Sequence, residues 1–306
     1  MHKVSPVNNP APIKSTQSNQ AFAVFGLLFG AICWGVIWYP YRLLAMAGIS
    51  GVAASFYTYG LAMMLVGIYF AKYWRGIFKL PPSIIWLSLA AGWTNLSYVL
   101  AVIDGEVMRV MLLFYLSPLW TLILAHFLLK EKTQISGYIA IAAALLGAFI
   151  MLHDPALSSW PLPRSNAEWL GLSAGIGFSL TNVITRQSTH LTIRAKSFAI
   201  WVGVLLVALA LMPFVNHAYV APSVFSLSQW ALILLIAIAL IAATLLVQNG
   251  VTQMTATRAS VLFVFELVVA AVAAYFLADE VMDRQEWIGG ALIVAAAIFA
   301  ASNHSD

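Results

Sequence analysis

The chain has 306 residues, 62% of them hydrophobic and only 8% charged, with a formal net charge of +4 and a mean hydropathy of +0.91. Soluble domains carry about 25% charged residues, so this composition excludes a water-soluble protein and marks a multi-spanning membrane protein. The fifteen Lys and Arg form no patch for nucleic acid, and the single cysteine, Cys33, excludes a disulfide framework or a thiolate metal site.

Residues 1–20 are polar and rich in Pro, Asn and Ser. They are too long and too polar for the charged head of a cleavable signal peptide, and read as a disordered cytoplasmic tail. Beyond them, a ruler of about 20 mainly apolar residues per crossing marks ten spans: 21–41, 52–71, 84–103, 108–129, 134–152, 168–187, 196–214, 228–249, 256–278 and 286–302. Residues 153–167, with Pro155, Pro161 and Pro163, read as an extracytoplasmic linker, and 303–306 as a short cytoplasmic tail. The spans are expected to be helices, because lipid offers no partner to free backbone groups. The period-2 alternation of a membrane β-barrel is absent.

Charge sets the expected orientation. With the N-terminus in the cytoplasm, eleven of the fifteen basic residues fall inside, and only Arg42, Arg109, Arg164 and Arg284 fall outside. That bias is what the positive-inside rule requires of a chain with both termini cytoplasmic.

The chain also repeats itself. Arg109 leads a span ending Phe127-Leu128-Leu129-Lys130-Glu131, and Arg258 leads one ending Phe276-Leu277-Ala278-Asp279-Glu280, an offset of 149 positions. Trp34 and Arg42 are matched by Phe178 and Arg186 at an offset of 144. Two halves of five spans, 21–152 and 168–302, follow, and an odd number per half inverts the second relative to the first. Inverted repeats recur in secondary transporters, with the site near the midplane where the halves meet.

Glu266 stands near the middle of the ninth span. A carboxylate at that depth costs about 2.5–3.5 kcal/mol on insertion scales, so a functional role is the default reading; a structural hydrogen bond to a neighbouring helix is the plainer one. Its expected tasks are to hold a cationic group of a solute, to take up and release a proton, or both. Asn95, Asn182 and Gln248 are further polar groups at membrane depth, where amides also simply tie helices together. His126, near the cytoplasmic end of the fourth span, is a second proton-coupling candidate. Trp34, Tyr98, Tyr115 and Phe178 lie deeper than interfacial anchors such as Tyr39, Tyr41 and Trp287. Rings around one acid would suit an amphiphilic solute with a cationic nitrogen, although core packing explains any single ring.

Gly26-x-x-x-Gly30 and Gly171-x-x-x-Gly175 are expected to let the first and sixth helices pack closely in matching roles. Arg109 and Arg258 read as snorkelling to headgroups, and Lys130-Glu131 and Asp279-Glu280 as helix ends at the surface. No P-loop, dinucleotide turn, HExxH or nucleophile motif occurs in a plausible context, so no nucleotide, metal or other cofactor is expected.

Several of these residues resemble a known family. Cys33-Trp34-Gly35 with Arg42 eight after the Trp, Leu116-Ser117-Pro118-Leu119 with the closing Leu-Lys-Glu, and Phe265-Glu266-Leu267 with Trp287-Ile288-Gly289-Gly290 are similar to motifs of the EamA group of the drug/metabolite transporter superfamily. The likeness covers about 21–302. Three departures stand out: Glu266-Leu267 where many relatives have Glu-Pro, Phe178-Ser179 opposite Trp34-Gly35, and an acidic Asp104-Gly105-Glu106 turn.

The resemblance implies an all-α integral membrane fold of ten transmembrane helices in two inverted five-helix repeats, both termini cytoplasmic. It also implies a cavity lined by helices 1, 3, 4, 6, 8 and 9. The expected protein is a multi-pass secondary transporter of the inner (plasma) membrane, not an enzyme. It would export or exchange small amphiphilic metabolites such as amino acids or amines, as a monomer or homodimer. Alternatives left open are transport of sugars, nucleotide-linked solutes or toxic cations, and an intramembrane enzyme pairing His126 with Glu266.

Overall fold

The computed structural model describes residues 17–70, 81–130, 135–153, 162–188, 191–215, 221–253 and 256–302. Most of the two expected tails, the middle of the linker with Pro155 and Pro161, and Glu131 therefore lie outside the described residues, as do the side chains of Gln248 and Arg258. Twelve α-helices occupy the described residues: α1 (Gln17–Val36), α2 (Trp38–Met46), α3 (Gly51–Phe70), α4 (Ser83–Asp104), α5 (Val107–Phe114), α6 (Ser117–Leu128), α7 (Ile135–Leu152), α8 (Asn166–Gln187), α9 (Ile193–Leu211), α10 (Leu227–Gln253), α11 (Ala256–Ala278) and α12 (Arg284–Ser302).

Among the described residues, six stretches are long and apolar enough to cross a membrane: Ala21–Met46, Ser83–Asp104, Val107–Leu128, Ile135–Leu152, Arg194–Phe214 and Leu227–Val247. The other four expected spans fall on α3, α8, α11 and α12. The apolar parts of α3 and α11 are shorter, Gly51–Gly67 and Phe265–Ala278. Polar and charged residues such as Glu168, Thr181, Asn182 and Arg186 dilute α8, and Arg284-Gln285-Glu286 opens α12.

Two spans expected to be continuous are broken, and both breaks have the same cause. α1 ends at Val36 and α5 at Phe114. Four residues beyond each end stands a proline, Pro40 and Pro118. A proline ring clashes with the carbonyl four residues back and supplies no N–H to it. The Trp38 indole closes over the first break, donating to the Gly35 carbonyl at 2.9 Å. At the corresponding offsets, 144 and 149, the second half has Ile184 and Leu267, and α8 and α11 run unbroken through them.

The principal contacts join the two halves. α4 packs on α8 and α9, α10 on α1 and α3, α1 on α11, α5 and α6 on α8, and α7 on α12. α7 and α12 approach most closely at two glycines. A Cβ on Gly147 would stand 2.7 Å from the Gly289 carbonyl oxygen, and one on Gly289 would stand 2.6 Å from that of Gly147.

The two GxxxG motifs do not play matching roles. Gly26 lies against the Leu246 backbone of α10, whereas Gly171 and Gly175 lie against Val110 and Phe114 of α5. They are 145 positions apart, one residue out of step with Trp34 and Phe178, and one residue turns a helix face by roughly 100°. The residues that do match in register also match in contact. Gly35 meets the Glu266 carbonyl, where a Cβ would stand at 2.8 Å. Ser179, 144 positions on from Gly35, places its hydroxyl 2.6 Å from the carbonyl of Ser117, 149 positions before Glu266.

One large apolar core gathers Trp38, Met108, Met111, Tyr115, Leu267 and Ala270 between the halves. A second joins α2, α3 and α4 to α9 and α10. Tyr41 belongs to the second and is fully buried, so it is not the interfacial anchor that its place near a span end implied.

Candidate functional site

α11 presents Phe265, Val268 and Val272 outward, while Glu266, Leu267 and Ala270 face the core. Glu266 is 8% exposed, turned toward neighbouring helices rather than toward the outer surface.

The break between α5 and α6 brings Tyr115 to it. The Tyr115 hydroxyl donates to the Phe263 carbonyl of α11 at 2.8 Å, one helical turn before Glu266. Rings continue outward from that point. Phe114 touches Tyr115, Tyr98 and Phe178 with ring centroids 5.8, 5.6 and 5.3 Å apart. On the other side Trp34 meets Phe263 at 6.0 Å. Tyr98 also donates to the Met111 sulfur at 3.1 Å. Rings from α1, α4, α5, α8 and α11 thus lead, one to the next, to the stretch of α11 just before the acid. A carboxylate near such rings can pair with a cationic centre, and ring faces add cation–π attraction of about 0.5–2 kcal/mol.

Of the expected wall, Tyr98, Tyr115 and Phe178 are joined through Phe114, Tyr115 is bonded to α11 at Phe263, and Trp34 reaches α11 at the same residue. Asn95 is turned elsewhere: its amide donates to the Tyr59 hydroxyl at 2.8 Å, toward α3. Asn182 stands one turn beyond Phe178 on α8, partly buried. His126 is exposed near the end of α6, its ring 5.3 Å from that of Phe127, and is not brought to the acid. Sequence reasoning missed Phe263, one helical turn before Glu266, and the linking position of Phe114. The proline that breaks the span just after Phe114 was the available signal for the latter.

A second cluster lies at the end of the bundle that holds the turn between α4 and α5. Arg42 donates to the Val102 carbonyl at 2.6 Å and to the Gly105 carbonyl, and pairs with Glu280 at 3.3 Å. Glu280 in turn accepts from the backbone N–H groups of Val107 and Met108 at 2.9 and 3.2 Å. Arg109 contacts Glu168 at 3.1 Å and Glu286 at 3.6 Å. The snorkelling expected of Arg109 is thus corrected: carboxylates from α8 and α12 hold it. The surface helix end expected at Glu280 is instead the cap of another helix.

The EamA-like transporter family model matches residues 21–153 and again 165–302, nearly the whole chain in two stretches. The chain belongs to the EamA-like transporter family. An EamA protein of this kind is a multi-pass membrane transporter of small molecules, not an enzyme. Among curated proteins the chain is 24% identical over 214 residues to an S-adenosylmethionine uptake transporter of Rickettsia bellii (strain RML369-C), covering 70% of this chain and 69% of that protein. It is 25% identical to the S-adenosylmethionine uptake transporter of Rickettsia prowazekii (strain Madrid E) over 70% and 68% of the two chains. An uncharacterized transporter of Archaeoglobus fulgidus is 24% identical over 68% and 72%. A crystal structure, described only as that of a protein, superimposes with a TM-score of 0.59 at 16% identity, over 94% of this chain and 96% of the other. That likeness concerns the fold alone.

Proposed function

We propose that this EamA protein is a secondary transporter of small amphiphilic solutes bearing a cationic centre, amino acids and related amines first among them. It would work by alternating access in the inner (plasma) membrane, with proton coupling through Glu266. The observation that carries the reading is a carboxylate buried at mid-helix one turn after Phe263, to which Trp34 and Tyr115 both reach, where α1, α5 and α11 meet. Asn182, one turn beyond Phe178 on α8, is proposed as a further wall residue, whereas Asn95, bonded to Tyr59, and the exposed His126 are not.

Two inverted five-helix halves with both termini cytoplasmic fit the packing. Exchanging the halves turns α4 on α8 into α10 on α1, α4 on α9 into α10 on α3, and α1 on α11 into α8 on α6. The matched contacts of Gly35 with Glu266 and of Ser179 with Ser117 support the same relation. Rocking of one half against the other about a fixed midplane site is the mechanism such halves allow.

The Rickettsia relatives are named for S-adenosylmethionine uptake. That solute joins a sulfonium cation to an amino acid and an aromatic base, a chemistry the acid and its rings suit. The resemblance implied export whereas these relatives are named for uptake, so the test must be indifferent to direction. Counterflow of labelled S-adenosylmethionine, amino acids and amines in proteoliposomes meets that need. Glu266→Gln should lower counterflow at least tenfold and remove its dependence on a proton gradient; unchanged flux and pH profile would overturn the proposal.

A further inference from the structure

The ion pairs at the α4–α5 end share one property. Both arginines, Arg42 and Arg109, come from the first half, and all three acids, Glu168, Glu280 and Glu286, come from the second. Arg42 closes the carboxyl end of α4 through Val102 and Gly105, and Glu280 closes the amino end of α5 through Val107 and Met108. Each cap is also the other's counter-ion, so the connection between two first-half helices is clasped by a residue of the second half. Trp38 backs the clasp, its ring 5.0 Å from the Arg42 guanidinium.

A cavity of about 400 Å³ lies immediately outside, lined by Glu106, Arg109, Glu280, Asp283 and Glu286 among others. Inward of the clasp the surroundings change. Trp38, Met111, Leu112, Leu267 and Ala270 form a buried apolar plug in the same cluster as Tyr115, beside Glu266. A polar vestibule, an ionic clasp, a dry plug and the buried acid thus follow one another along the junction between the halves.

We propose that the Arg42–Glu280 clasp over α5 is a lock that holds this face of the protein closed and must open before solute reaches Glu266 from the vestibule. The inference rests on the alternating-access reading. Three features favour a lock over a permanent staple. The pair is partly exposed, with side chains 20% and 15% accessible, and ion pairs of that kind bias an equilibrium by a factor of about five or less. They are made and broken at little cost. The vestibule also supplies water for the separated charges. Finally, the repeat offsets pair Arg42 with Arg186 and Glu280 with Glu131, the same two charges at the corresponding place in the other half.

The test reads accessibility rather than transport, so its failure is distinct from a failure of the solute assignment. In a Cys33→Ala background, a cysteine is placed at Met111, beneath the clasp. A membrane-impermeant maleimide is applied to intact cells and, separately, to inverted membrane vesicles, so neither orientation is presupposed. From the vestibule side the reference protein should label slowly, and Glu280→Gln should raise the rate about two- to fivefold. Arg42→Gln leaves the Glu280 bonds to α5 in place and serves as second variant, with the same sign expected. Glu131→Gln, the counterpart of Glu280 at the repeat offset of 149, should leave labelling from the vestibule side unchanged. Wild-type labelling in either clasp variant that remains monodisperse overturns the lock, as does an equal rise with Glu131→Gln, which would mean general loosening.

Discussion

Glu266 is isolated in a way that makes its neighbours measurable. Tyr115 ties the α5–α6 break to the Phe263 carbonyl one turn before the acid. Tyr115→Phe removes that bond while keeping the ring, and should cost about 0.5–1.5 kcal/mol of stability. Because the lost bond also fixes the broken span beside the acid, counterflow should fall several-fold, a larger loss than the drop in thermal unfolding temperature explains. Ser179→Ala is the contrasting case. Its hydroxyl ties α8 to the Ser117 carbonyl, so a similar stability loss is expected with transport largely kept. Equal effects of both variants on counterflow would refute the special place given to Tyr115.

At the scale of elements, the unusual feature is that both broken spans belong to the first half. Pro40 and Pro118 each stand four residues beyond a helix end, and Ile184 and Leu267 leave their counterparts continuous. Pro118→Ala should let the backbone ladder close between α5 and α6, seen as slower hydrogen exchange of amides at 115–117. A proline in a helix interior costs about 3 kcal/mol, so stability should hold or rise while counterflow falls, because Tyr115 would no longer be delivered to α11 by the break. Faster exchange and lower stability would show that the break is held by its surroundings and not by the proline. The α7–α12 contact is the opposite kind of element, a permanent seam. Gly147→Val should force the helices apart at the Gly289 carbonyl and cost about 1–3 kcal/mol by overpacking, read as a lower unfolding temperature.

For the molecule as a whole, both termini on the cytoplasmic side is the prediction that binds the charge distribution to the proposed inversion of the halves. A fluorescent protein that matures only in the cytoplasm should glow when fused after Asp306, and a periplasm-dependent phosphatase at the same point should stay inactive. The reverse pattern would turn the vestibule of Glu106, Arg109 and Glu286 toward the cytoplasm.

Much of this was legible in the residues. Apolar run length marked the helices, because each must satisfy its own backbone in lipid whatever its neighbours are. The offsets of 144 and 149 led to the reading of two halves, and the cost of a bare carboxylate at depth made Glu266 the candidate. The two prolines also carried the signal for the breaks, since that clash involves only residues four apart, although both spans were read as continuous. Docking of the halves decided the rest. Nothing near Arg42 in the chain announces Glu280, 238 positions away, or tells that Glu280 caps a helix 173 positions before it. The same docking buried Tyr41, left His126 outside and set Arg109 between two acids. Hydropathy and proline sterics act along the chain, whereas a charge or a ring finds its partner only after distant helices have packed.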